Sequence, residues 1–288
     1  MSYRIEAVEA SSSAKLDAAY AALAAEFAPR GELERREVVA RWLDEPAGGS
    51  ACAGGLRRTY HLLVARDERG ALAAVRDCHV VLDPHEGIAV VYLAHVLVLP
   101  AFRRSGLGAR LRSEPLALAR RAVTEAGMDG RPVDLLLAAE MEPAVQGDPA
   151  SLVRLAAYGK EGFAAIAPAV LPYCQPDFRE LGGAALGRAR VARPIPLLAV
   201  VRFLGHEGAL SLPRRLARAF VNHLYAVFAT HVRSEHLAAL QRRTLGVLDA
   251  FPPEEVPLLP LPRTIDDRAA LLPLSRPAVL AFFPEELR

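Results

Sequence analysis

The stretch Val96-Leu97-Val98-Leu99-Pro100-Ala101-Phe102-Arg103-Arg104-Ser105-Gly106-Leu107-Gly108-Ala109 decides how this chain is read. It starts as an apolar β-rich run, breaks at Pro100, and passes through a glycine turn into a helical pattern. The two glycines let the backbone come close to a ligand. The first turn of a helix leaves N–H groups without intrahelical acceptors. The helix dipole adds roughly half a positive charge there. A turn of this kind suits a phosphate or pyrophosphate, and Arg103 and Arg104 add two cations.

Upstream, three β-like runs lie in a row. They are Tyr60 to Ala65, Ala71 to Leu82 and Ile88 to Leu99, separated by Asp67-Glu68-Arg69-Gly70 and Asp83-Pro84-His85-Glu86-Gly87. Short runs with such turns predict an antiparallel meander. Further back, Tyr3 to Val8 reads as a strand, with Ser11 to Ser13 as helix caps. Leu16, Ala19, Tyr20, Leu23 and Phe27 recur at helical spacing, and Glu32 to Leu43 predicts a second helix. Glu45 to Gly55 reads as a loop.

Downstream, Ala109 to Ala126 is helical by pattern, with Pro115 expected to kink or restart it. Val133 to Ala139 predicts a buried strand, and Ala150 to Phe163 a helix closing at Gly162. Ala167 to Tyr173 and Leu197 to Leu204 predict two more strands. Leu212 to Leu248 is almost wholly helical, with Leu216, Phe220, Leu224, Val227 and Phe228 on one side. From Phe251 the chain is rich in Pro and Leu and carries no assignable pattern. Two parts are expected, 1–206 and an extension over 207–288.

Composition narrows the classes. The chain has 288 residues, 52% of them hydrophobic and 24% charged, a globular balance that can bury a large core. A net charge of +2 argues against a general nucleic-acid coat. No apolar run reaches the ~18–20 residues of a membrane span, and the first residues lack a signal-peptide stretch. Cys52, Cys78 and Cys174 have neither disulfide-framework nor zinc spacing. A reduced, cytoplasmic setting follows as an expectation. His223, His231 and His236 lack metal-site spacing, so no metal is expected.

Three phosphate loops compete for the quoted stretch. A dinucleotide-binding loop wants G-x-G-x-x-G, and only Gly106-x-Gly108 is present. A P-loop wants a Lys after its second glycine, and none follows. The spacing R-x-x-G-x-G after V-x-L-P instead resembles the acyl-CoA signature of the GNAT superfamily of N-acetyltransferases. About 50 residues on, Tyr158-Gly159-Lys160-Glu161-Gly162-Phe163 resembles that family's Y-x-x-x-G-F element. The resemblance covers roughly 1–206. It implies an α/β fold with a mixed, mostly antiparallel sheet flanked by helices, here with a C-terminal helical extension. It departs at Pro115, and at the Asn the family often carries ahead of the Tyr helix, where Ser151 is nearest.

The resemblance also implies roles. Backbone groups of Leu97 and Val98 would pair with the pantetheine arm, and the Val98 amide would polarise the thioester carbonyl. Arg103, Arg104, Ser105, Gly106, Leu107, Gly108 and Ala109 would hold the pyrophosphate, and Ser151 would stand in as a pantetheine contact. Tyr158 would protonate the departing thiolate. The reaction implied is direct attack of a primary amine on acetyl-CoA, or another acyl-CoA, as co-substrate. For the base, Glu140 and Glu142 end the buried strand. Tyr92 and His95 are three apart on the signature strand and are expected to point to opposite faces. Glu140 ranks first, with a water chain as its rival.

Glu140, Glu142 and Asp148 would make the acceptor pocket acidic, which suits a cationic small molecule or peptide amine. Glu140, Asp148-Pro149 and Pro172-Tyr173-Cys174-Gln175-Pro176 together resemble a bacterial subgroup of the same superfamily. An apolar helical stripe must be covered, so a homodimer through the C-terminal helices is expected; nucleic acid and membrane are not expected partners. Two other readings stay open: a non-catalytic acyl-CoA sensor, and an interaction protein working through its C-terminal helices.

Overall fold

The computed structural model describes residues 2–46, 49–176, 194–232 and 234–287. Ala47 and Gly48 of the expected loop, and residues 177–193 of the expected 1–206 part, lie outside them. The chain divides into two compact units. One runs up to Val133, and the other takes Asp134–Pro176 and the described residues from 194 on.

The first unit opens with β1 (Tyr3–Ala7) and α1 (Ala14–Phe27). Ser13 caps α1, its hydroxyl accepting from the Lys15 amide at 3.3 Å. α1 ends in a single tight turn at Ala28–Arg30, followed by Gly31 at φ 75°. α2 (Arg36–Leu43) starts four residues later than its apolar pattern predicts. The intervening residues form a loop because their carbonyls go elsewhere. Glu32 O accepts from His95 Nε2 and Glu34 O accepts from the Tyr20 hydroxyl, both at 2.9 Å.

Next come β2 (Ser50–Ala51), β3 (Arg57–Asp67), β4 (Leu72–Asp83) and β5 (Ile88–Val98), then α3 (Leu107–Glu125). The strand order is β1-β3-β4-β5, with β2 on β3, and every pair is antiparallel. The turns are chemically specified. Asp67 accepts from the amides of Arg69 and Ala71, and Asp83 from those of His85 and Glu86. Alternation along the strands separates two cores. Leu62, Val64, Val75 and Leu97 pack with Leu16, Leu23 and Trp42 of the first two helices. Ala65, Ala74, Val96 and Val98 pack with Leu107 and Leu111 of α3. Pro115 does not divide α3; it is buried within one continuous helix, where its lack of an N–H removes one hydrogen bond.

The second unit contains β6 (Asp134–Met141), α4 (Pro149–Gly159), β7 (Ala164–Ile166), β8 (Cys174–Pro176), β9 (Pro194–Pro196) and β10 (Leu198–Phe203). Then follow β11 (Ser211–Pro213), α5 (Arg214–Phe228), α6 (Ser234–Ala250), β12 (Glu255–Pro260), α7 (Arg268–Leu271) and α8 (Arg276–Leu280). Its sheet runs β6-β10-β7-β12-β11, again antiparallel, and β8 pairs with β9. The strand expected over Ala167 to Tyr173 is absent. Pro168 and Pro172 break that apolar run, residues 168–170 turn, and β7 and β8 lie on either side of it.

The Pro-rich tail forms β12, which pairs Leu258 with Ile166 on one side and Val256 with Leu212 on the other. The boundary expected between 206 and 207 therefore falls inside this unit. The α5 stripe of Leu216, Phe220, Leu224, Val227 and Phe228 is buried within the chain itself. The uncovered stripe that motivated a dimer is thus not there. The fold is α/β, with mostly antiparallel sheet flanked by helices.

Candidate functional site

In the first unit, β5 ends at Val98 and the chain turns through Pro100–Phe102 into the glycine loop. Two residues hold left-handed backbone there: Arg104 at φ 63° and Gly106 at φ 79°. Arg104 is the one non-glycine residue at positive φ among those described, a conformation that costs free energy. The turn aims the chain so that Gly106 becomes the N-cap of α3. No side chain caps this end, and no acid lies in its first turn. The first intrahelical bond is Arg110 N to Gly106 O, so the amides of Leu107, Gly108 and Ala109 precede it.

Arg103, Arg104, Ser105, Gly106 and Ala109 are exposed, Gly108 is half-buried and Leu107 is buried. Arg103 Nε donates to Val98 O at 3.2 Å, and Ser105 Oγ donates to Phe102 O at 2.7 Å. The loop is thus braced by its own side chains. Leu97 and Val98 register with Val75 and Ala74 across β4.

In the second unit, Tyr158 lies in the last turn of α4. Phe163 N donates to Tyr158 O, Gly162 N donates to Gly159 O, and Gly162 has φ 81°. Those paired bonds with a left-handed glycine form a Schellman cap, which brings its own apolar contact. That contact is Tyr158 on Phe163, with ring centroids 4.8 Å apart at 66°. The Y-x-x-x-G-F spacing therefore has a structural cause that needs only the ring.

Glu140, on β6 opposite Ala199, accepts a hydrogen bond from the Tyr173 hydroxyl. Glu142 pairs with Arg154, and Asp148 is the N-cap of α4, accepting from the amides of Ala150 and Ser151. All three expected pocket acids thus have partners within the chain. Ser151 is buried, and its hydroxyl donates to Asp148 O at 3.0 Å and accepts from Val145 N at 3.3 Å. These bonds brace the turn before α4, not an outward-facing contact.

One cluster in the first unit escaped the sequence. Asp77 is buried on β4 and accepts from the Tyr60 hydroxyl (3.2 Å), the His95 amide (2.7 Å) and His95 Nδ1 (3.0 Å). The register shifts by one residue between Asp77–His95 and His79–Tyr92. This bulge turns Tyr92 and His95 to one face, against the expectation of opposite faces, because the extra residue resets the alternation. Tyr92 stacks on His79 at 6.2 Å, and His79 and Asp77 both reach Tyr60.

His95 Nε2 meets the Glu32 carbonyl and Nδ1 meets the Asp77 carboxylate. Both acceptors require an N–H, so the ring is an imidazolium. Burial opposes that charge, but Asp77 outweighs it and raises the pKa from the usual 6.5 to about 9. A raised folded pKa gives stability that is complete below pH 6.5 and lost as pH climbs through about 9. The loss is about 3 kcal/mol. Calorimetry should show Tm falling between pH 6.5 and 9.5 for the native protein and a much flatter profile for His95→Gln. An equal fall in the variant would assign the effect to other groups.

Burial pushes the thiols of Cys78 and Cys174 up to about 12, which keeps both protonated and poor nucleophiles. Among the described residues, no three His, Cys, Asp or Glu are grouped to hold a metal, and no helix is long and apolar enough to cross a membrane.

The fold and this loop define an α/β chain with a strand–glycine turn–helix whose helix start has no side-chain cap. No family model matches it, and no curated protein does. Among solved structures, Ard1 from Thermoplasma volcanium is similar at 15% identity over 70% of this chain and 98% of that one, with TM-score 0.39. An aminoglycoside acetyltransferase from an uncultured soil metagenomic sample is 17% identical over 53% and 88%, with TM-score 0.37. A GCN5-related glucosamine N-acetyltransferase region in a fungal multi-domain β-N-acetylglucosaminidase is 15% identical over 57% of this chain, with TM-score 0.38. This chain spans 18% of that fungal one.

Proposed function

We propose that the chain is a GNAT-type N-acyltransferase, moving an acyl group, acetyl first, from acyl-CoA to a primary amine. The observation that carries this reading is the uncapped, acid-free start of α3 behind the left-handed Arg104–Gly106 turn. Those amides and the two arginines suit a pyrophosphate. Leu97 and Val98 supply backbone groups for the pantetheine arm, and the Val98 amide polarises the thioester carbonyl.

Glu140 takes a proton from the ammonium and passes it to solvent. The neutral amine then attacks the carbonyl carbon, and the tetrahedral nitrogen gives its second proton to the same carboxylate. As the carbon–sulfur bond breaks, Tyr158 gives its phenolic proton to the sulfur. CoA leaves as the thiol, and no covalent enzyme intermediate forms. A phenol, of pKa about 10, is a weaker acid than a thiol, of about 8.5, so the transfer is uphill by about 1.5 units. The proton moves as charge builds on sulfur, and the phenol is restored from protonated Glu140 through solvent. The acceptor is a small molecule or peptide amine.

The test is calorimetric titration with acetyl-CoA. Adding a Cβ at Gly108 meets only Arg112 Nη1 at 3.3 Å and Val98 Cγ2 at 3.8 Å, so Gly108→Asp should fold. Its carboxylate would stand among the pyrophosphate-binding amides and should weaken binding by about 100-fold or more. Native protein that binds no acyl-CoA, or a variant that binds as tightly, would sink the reading. A sensor that binds without turnover is the second reading, favoured by the structural role the Tyr158 ring already has. It predicts acetyl-CoA binding with no thiol released in the presence of any amine.

A further inference from the structure

We infer that Tyr173 is a positioning residue that holds the Glu140 carboxylate ionised and aimed, and that α5 and α6 of the C-terminal extension hold Tyr173. The catalytic half of this inference rests on the acyl-transfer reading; the structural half does not.

Tyr173 is fully buried, and its hydroxyl donates to Glu140 Oε1 at 2.5 Å. Its ring stands edge-on to Phe220, at 5.3 Å and 81°, and lies 5.8 Å from the Tyr225 ring, both on α5. The backbone on either side is also tied down. Tyr225 Oη donates to Cys174 O at 2.8 Å, and Thr244 of α6 reaches Pro172 O at 3.5 Å. The Tyr173 carbonyl accepts from Leu197 N at 3.1 Å. A phenol fixed on every side has one direction in which to donate. A donor aimed at a carboxylate favours its charged form, and a half-buried carboxylate depends on such a donor. Beside it, the Tyr225 hydroxyl feels the charges of Cys174, Glu140 and Arg243, and Arg243 also acts on the Cys174 thiol.

Replacing Tyr173 by Phe keeps the ring and deletes the donor. Following the Glu140 side-chain carboxyl carbon by NMR, assigned through Glu140→Gln, should show its titration midpoint rise by about one unit in Tyr173→Phe. Tyr225→Phe keeps the Tyr173 hydroxyl but frees the Cys174 carbonyl, so it should give a smaller rise of the same sign. It also serves if Tyr173→Phe does not fold. Midpoints unchanged from native in the folded variants would overturn the inference.

With an amine that the native protein acylates, the acid limb of kcat/KM should move up with the NMR midpoint while the KM for acetyl-CoA holds. A limb that stays put while the midpoint moves overturns the positioning role. A native protein that turns over no amine defeats the acyl-transfer reading, and the carboxyl titration still decides whether Tyr173 governs Glu140.

Discussion

Gly159→Ala should melt the second unit about 10 °C or more below the native protein. Helix propensity argues the other way, since alanine is favoured over glycine inside a helix by about 1 kcal/mol. Space decides the sign. A Cβ on Gly159 would lie 2.1 Å from Pro262 O and 2.9 Å from Leu261 O, both backbone atoms. Neither can rotate away, so residues 261–262 must move as a segment. They follow directly on β12, whose pairing with β7 holds the tail in the sheet. Overpacking alone costs about 1–3 kcal/mol, and disturbed pairing takes the total to roughly 4 kcal/mol. Scanning calorimetry reads this directly, and a Tm within about 2 °C of native would refute the close approach.

Tyr158→Phe should lower kcat by about 100-fold or more, the range for losing a general acid. The Schellman contact needs only the ring, which phenylalanine supplies, so Tm and the affinity for acetyl-CoA should stay near native. That separation makes the variant informative. A full rate in Tyr158→Phe would leave the residue as a helix cap and strengthen the sensor reading. A lost rate with a lowered Tm would point to packing, not to proton transfer.

Much of the fold was legible because local signals agreed. The meander could be read from three apolar runs and two turns that each open on an Asp, and both turns do use that aspartate as an amide acceptor. The glycine loop was legible because Gly106 takes a positive φ at the start of α3, a conformation that favours glycine. What was not legible depended on distant partners. Glu255–Pro260 carries prolines that argue against a strand, yet β7, some ninety residues earlier, pairs with it. α2 starts late because His95 and Tyr20 capture carbonyls that a helix would have used.

The site followed the same division. Tyr92 and His95 changed sides through a bulge that no alternation count reveals. Arg76 reads as a surface cation by type, but it is fully buried on β4, with no hydrogen-bond partner for its guanidinium among the described residues. The link between Glu140 and Tyr173 joins positions 33 apart, which no local spacing reveals as a contact.

The placement of β12 also sets an order of assembly. A chain leaves the ribosome from its N-terminus, and domains fold as their residues emerge. The first unit's five paired strands and α3 are all made before residue 126. In the second unit, β7 gains its second neighbour only when residues 258–260 arrive. Until then one edge of a nascent sheet stays open, and pairings this far apart in sequence form slowly. The second unit is thus the part of this protein most exposed to nascent-chain aggregation, and the part on which a chaperone would act.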